Sequence, residues 1–201
     1  MWVLKLGGSL NTQPVLRDWL RLAAAEAGRI VVVPGGGAFT GQVRAAQAQW
    51  RFDELAAHRM AILGMAQTAL MLAALEPALA LAADPAALSA GLAQGRSAVW
   101  LPLDVMSDWP GVAPGWDITA DSLALWLAQR LGAAGVLVVK SCALERGRAF
   151  EALRDAGVLD AQFPARARSL GVPVELLGHE ELARARALLA THYPSPPGGH
   201  R

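Results

Sequence analysis

"MWVLKLGGSL" (Met1–Leu10) sets a short apolar run directly against two glycines and a serine. Adjacent glycines cost backbone entropy on folding, so they mark a place where the chain bends sharply or comes close to something. That something is either another element of the fold or a phosphate. The same order recurs twice. "RIVVVPGGG" (Arg29–Gly37) is a β-branched run closed by Pro34 and three glycines, and "GVLVVKS" (Gly135–Ser141) is an apolar run ending in Lys140 and Ser141. None of the three alternates apolar with polar residues, which is the pattern of strands buried on both faces.

Between these runs the apolar period changes to that of helices. Val15, Leu16, Trp19, Leu20, Leu22 and Ala23 form a stripe over Val15–Ala27, which Gly28 stops. Helical pattern resumes over Phe39–Gln49, and a long helix is expected over Asp53–Leu75. The alanine-rich stretch Pro77–Gly95, broken by Pro85 and Gly91, reads as a short helix with turns. "SAVWLPL" (Ser97–Leu103) reads as a strand and "SDWPGVAPGW" (Ser107–Trp116) as a loop. Thr119 caps a helix over Ala120–Leu131, ended by Gly132. Two shorter helices follow near Arg148–Asp155 and Ala161–Ser169, then a strand "VPVELL" (Val172–Leu177) and a last helix over Glu180–Thr191. Strands alternating with helices predict an α/β fold with a mainly parallel sheet covered on both faces. One domain is expected over residues 1–192, followed by a disordered tail over 193–201.

Composition narrows the functional classes. The chain has 201 residues, 54% of them apolar and 17% charged, enough for a substantial single core. A net charge of +1 with interspersed signs gives no basic face for nucleic acid. The single cysteine, Cys142, excludes an internal disulfide and fits a reducing cytoplasm. No signal peptide is visible. The apolar run Met60–Leu75 falls short of the ~20 residues of a membrane span, and reads as a buried helix that also suits contact with a second subunit.

Eighteen residues are basic, yet only Lys5 and Lys140 are lysine. Both close apolar strand-like runs, and a compact ammonium is not interchangeable with a guanidinium as a phosphate ligand. In open α/β sheets ligands gather at the carboxyl ends of the strands. There lie the glycine loops, whose amides converge on anions when a helix follows. "WDITADS" adds Asp117 and Asp121 around a helix start, where carboxylates cap the helix, orient a lysine or accept a donor group of a substrate. Neither glycine loop is a Walker A loop or a full GxGxxG.

"KLGGS", "PGGG", "DITADSLALWLAQRLGA", "GVLVVKS" and "GVLDAQFPARARSLGVPVELL", in this order, resemble the amino acid kinase superfamily over almost the whole chain. The resemblance implies a three-layer αβα sandwich and transfer of the γ-phosphoryl of ATP, with Mg²⁺, to an acidic acceptor. It implies that Lys5, Asp121 and Lys140 are catalytic, Lys5 neutralising the moving phosphoryl and Asp121 holding the lysines. Gly7, Gly8, Ser9, Lys140 and Ser141 would hold the nucleotide. Gly35, Gly36, Gly37, Arg44, Asp117 and Thr119 would meet the acceptor. No protein metal ligand is assigned.

Departures narrow the assignment. Superfamily members acting on amino acids carry a further lysine after the "GVLD"-like segment; here none follows, leaving Lys140 or Arg166 for that duty. Gly41 stands where isopentenyl phosphate kinases carry a histidine, and uridylate kinases are longer with a differently built loop. The compact length, "GGGAFTGQVR", "DELAAHRMAILGMAQ" and "WDITADSLALWLA" look most like the small kinases of methanofuran biosynthesis. That likeness implies (5-aminomethyl-furan-3-yl)methyl phosphate as acceptor and its diphosphate as product; a homodimer or higher homo-oligomer is expected through the Asp53–Leu75 helix. A carboxylate kinase and a nucleotide-binding storage protein of the same fold are the alternatives. Trp116 either stacks on a flat ring or fills the core, and His58 is either structural or interfacial or borders the acceptor pocket.

Overall fold

The computed structural model describes residues 1–106 and 114–192. Six strands form one sheet: β1 (Trp2–Leu6), β2 (Ile30–Pro34), β3 (Ala80–Ala82), β4 (Ala98–Trp100), β5 (Gly135–Lys140) and β6 (Val174–Gly178), in the order β3-β4-β2-β1-β5-β6. Every pairing is parallel. β1 and β2 are buried at all five positions, as β-branched and leucine-rich runs must be when helices cover both faces.

Among the described residues eight helices supply the cover: α1 (Leu16–Ala25), α2 (Gly37–Trp50), α3 (Glu54–Leu75), α4 (Pro85–Ala93), α5 (Ala120–Leu131), α6 (Phe150–Asp155), α7 (Phe163–Leu170) and α8 (Leu182–His192). The period-2 alternation of β1 sorts its side chains between two cores. Val3 joins Val31, Val33, Val136 and Val138 under α4, α5, α6 and α7. Trp2, Leu4 and Leu6 join Ile30, Val32, Leu137 and Val139 under α1 and α8. α3 serves both layers, with Ile62 and Met65 in the first core and Ala69 and Leu72 in the second.

Helix ends follow from their capping residues. The Asp53 carboxylate accepts the Ala56 amide at 2.7 Å to start α3, and Thr119 caps α5, which ends at a left-handed Gly132 (φ 59°). α3 runs 22 residues, longer than its most apolar stretch, and is long and apolar enough to cross a membrane. Half of that stretch is buried within the fold, including Thr68.

Two segments differ from the sequence reading. Ala80–Ala82 is a strand, although its alanines carry a helical preference. Parallel pairing to Ala98–Trp100 fixes it, a partner lying outside any local window. The strand expected over Ser97–Leu103 stops at Trp100, because Pro102 has no amide to donate and opens a 3-10 turn over Pro102–Met106. The expected tail over 193–201 and residues 107–113 of the expected loop lie outside the described residues.

Candidate active site

Lys5 lies on the same face of β1 as Val3, and Lys140 on the same face of β5 as Val136 and Val138. The strands are adjacent and parallel, with Lys5 opposite Val138. Strand parity therefore aims both ammonium groups at the layer holding α5. Asp121 sits in the first turn of α5 and meets both: Oδ1 lies 2.7 Å from the Lys5 Nζ and Oδ2 2.6 Å from the Lys140 Nζ. Lys5 and Asp121 are each only 4% exposed. Lys140 also donates to the Val158 carbonyl at 2.6 Å.

The charges perturb one another. Burial pushes the Asp121 carboxyl up, but the Lys5 and Lys140 ammonium groups together outweigh it and hold its pKa below the ordinary carboxylate value. Burial first, and then the Lys5 charge, bring Lys140 down to about 8 despite its bond to Asp121. The triad sets two cationic groups against one carboxylate, with the Asp160 charge also acting on Lys140.

The two glycine loops touch each other beside this triad. A Cβ on Gly8 would fall on the Gly37 amide nitrogen, and one on Gly35 on the Gly8 amide nitrogen. Glycine at these positions is therefore demanded by loop-to-loop approach as such, before any ligand enters. Gly37 takes the left-handed conformation (φ 55°) and opens α2. The Ser9 and Ser141 hydroxyls lie 2.6 Å apart, tying the first loop to the end of β5.

A cavity of about 290 Å³ opens at this point. Lys5, Gly8, Ser9, Gly35, Gly36, Gly37, Arg44 and Thr119 line it, together with apolar side chains of α3 and α5. Gly7, Lys140 and Ser141 are not on its wall. Asp117 stands in an adjoining recess of about 420 Å³ that shares Arg44, Trp116 and Thr119 with the cavity and also holds Asp121. Arg44 lies over the Trp116 ring, 3.7 Å from its centre, so one face of that indole is already covered. The Trp116 Nε1 donates to the Gln47 Oε1 at 2.7 Å, and Gln47 in turn donates to Glu54, which locks the partition. His58 lines the cavity floor. Arg166 lies elsewhere, between α5 and α7 beside Trp126 and Gln129, so it does not join the lysines.

The amino acid kinase family model matches residues 1–142. The chain belongs to the amino acid kinase family. Among solved structures, the uridylate kinase of Archaeoglobus fulgidus aligns with a TM-score of 0.67 at 18% identity, over 92% of this chain and 94% of that one. The UMP kinases of Bacillus anthracis (0.67, 15% identity, 94% and 91%) and Ureaplasma parvum (0.65, 13% identity, 88% and 88%) have the same fold. The near-equal shares show that length does not separate this amino acid kinase from uridylate kinases. No curated protein matches the chain.

One residue of this amino acid kinase escaped the sequence reading. The Asp160 carboxylate accepts from the Thr119 amide (2.8 Å) and hydroxyl (2.9 Å), the Ser122 amide (3.0 Å) and hydroxyl, and the Phe163 amide (3.0 Å). It thus fixes the turn of α5 that carries Asp121, from 39 positions away in the chain. The local signal, an aspartate just before α7, announces only its bond to Phe163.

The residues present suit a polyphosphate: two ammonium groups share one carboxylate, and the N-terminus of a 14-residue helix faces the cavity. They do not form a cage for Mg²⁺. Among the described residues no three His, Cys, Asp or Glu side chains cluster, and Asp121 is committed to lysines. Mg²⁺ arriving with the nucleotide would neutralise phosphate charge and would have to draw its ligands from phosphate and water.

Proposed function

We propose that this amino acid kinase moves the γ-phosphoryl group of ATP onto the phosphate of a small acceptor. The observation that carries the reading is Lys5. It belongs at once to the buried triad and to the wall of the cavity, at the junction of the two glycine loops. An acceptor phosphate in that cavity meets Lys5, Arg44 and the amides at the start of α2, while the described lining residues include no Asp or Glu. Two cations facing one ligand favour a phosphate dianion over a carboxylate.

An acceptor oxygen attacks the γ-phosphorus, the bond to the bridging oxygen of ADP breaks, and the charge spreads over the three equatorial oxygens. Lys5 sits between acceptor and donor and stabilises that charge. Lys140 supplies the second cation, while Gly8, Ser9 and Ser141 flank the donor side. Asp121 sets both lysines, and Asp160 sets Asp121. Catalysis here is positioning and charge cancellation, with no covalent intermediate. Within this reading the acceptor is (5-aminomethyl-furan-3-yl)methyl phosphate, supported by the motif likeness, and the setting is a reducing cytoplasm. An ADP-release assay over phosphate and carboxylate acceptors tests it. Activity on the phosphates, abolished in a folded Lys5→Ala variant, is expected. Activity on carboxylates alone overturns the acceptor, and ATP binding without ADP release on any acceptor indicates a storage protein.

We also propose that two copies pair through α3. Its outward face runs Ala56, Met60, Leu63, Gln67, Leu70 and Ala74, alternating steps of four and three. That 3.5-residue period is a coiled-coil seam rather than a core stripe. Antiparallel pairing about Gln67 sets Leu63 against Leu70 of the second copy, pairs the two Gln67 amides, and brings Arg59 near the second copy's Glu76. Native mass measurement should give a dimer that Leu63→Glu plus Leu70→Glu splits; a wild-type monomer at 10 μM overturns the pairing.

A further inference from the structure

His58 stands in the second turn of α3, with Ile62 and Met65 four and seven residues on, so the three share the face that floors the cavity. Only 9% of it is exposed. Its ring hydrogen-bonds the Gly115 backbone, the segment that delivers Trp116 to the opposite wall. Burial, with the Arg59 charge beside it, holds the imidazole below its ordinary pKa, and the Gly115 bond acts the other way. Held below its ordinary value, the imidazole is uncharged at neutral pH and carries one nitrogen that donates and one that accepts.

Among the described lining side chains His58 is the one nitrogen base. Lys5 and Arg44 only donate, and the Thr40 and Thr119 hydroxyls, which give their protons to the Gly37 carbonyl (3.0 Å) and to Asp160, offer only the weaker lone pairs of a hydroxyl, as does Ser9. The Asp117 carboxylate lies in the adjoining recess, and that of Glu54, one helical turn before His58, accepts from Gln47. We propose that His58 recognises a hydrogen-bond donor, in the first instance a primary ammonium, on the part of the acceptor remote from its phosphate. The inference rests on the phosphate-acceptor reading and assigns a specificity residue within it. A neutral ring takes an ammonium beside two fixed cations without adding a like charge, and orients it while Lys5 and Arg44 hold the phosphate.

The test compares (5-aminomethyl-furan-3-yl)methyl phosphate with its 5-methyl counterpart, which keeps the ring and phosphate and lacks the donor. The wild-type chain should prefer the amine about tenfold in kcat/KM, the size of one buried hydrogen bond. His58→Phe should reduce that ratio to about one, and His58→Gln, which restores an acceptor oxygen, should recover most of it. A role limited to packing lowers both values together and leaves the ratio alone. A ratio unchanged in His58→Phe overturns the inference while the kinase reading stands. Should neither compound be phosphorylated, the acceptor reading fails, and calorimetric binding of the same pair decides His58: equal affinities in wild type refute it.

Discussion

Nucleotide binding should draw a proton onto Lys140, and the size of the effect follows from its surroundings. Burial and the Lys5 charge set its pKa near 8 in the protein alone. At pH 8.5 the ammonium is then about one quarter formed. A bound polyphosphate replaces lost hydration with negative charge and returns the pKa towards the ordinary ~10.4. Uptake of about 0.7 proton per site is expected at pH 8.5, falling to about 0.1 at pH 7. The sign follows from linkage: the bound state holds more protons, so affinity falls as pH rises, by about tenfold from pH 7 to pH 9. The terminal phosphate of the nucleotide ionises near 6 and stays silent at pH 8.5. Titration with a non-hydrolysable ATP analogue, in buffers of equal pH but different ionisation enthalpy, reads the uptake directly. Lys140→Arg, charged throughout, should bind with no uptake. Less than 0.2 proton in wild type at pH 8.5, or undiminished uptake in the arginine variant, refutes the assignment of Lys140 to the phosphate site.

Asp121→Asn leaves two buried ammonium groups facing each other. It should cost about 3–5 kcal/mol in urea unfolding near neutral pH. That loss should shrink above pH 8, because Lys140, whose folded pKa is depressed, destabilises least once it is neutral in both states. Asp160→Asn removes the charge that five donors share and should cost about 3 kcal/mol. ADP release should fall with it although Asp160 lines the adjoining recess and not the cavity that holds Lys5, and full activity would remove it from the positioning chain. Gly8→Ala drives a methyl group into the Gly37 amide and should cost about 3 kcal/mol, measured by thermal unfolding. An unaffected melting temperature would mean that the two loops do not need to touch.

Much of this protein was written in local order. The buried strands Ile30–Pro34 and Gly135–Lys140, the Thr119 cap and the Gly132 stop announced themselves, because burial on two faces and capping act over a few residues. The rarity of lysine marked Lys5 and Lys140, and their positions at strand ends made them candidates for one site. Tertiary structure decided the remainder. Only the β1–β5 register brings the two lysines to one carboxylate, and only chain return after β5 brings Asp160 under α5. Gly8 looked like a phosphate contact, whereas the approach of a second loop from across the sheet already requires it. Ala80–Ala82 became a strand through a neighbour's amides, and His58 entered the cavity because α3 packs with that face inward. Periodicity and capping are encoded by residues within a turn or two of each other. Charge pairing, strand register and loop-to-loop approach join residues tens of positions apart, and no local pattern contains both members of such a pair.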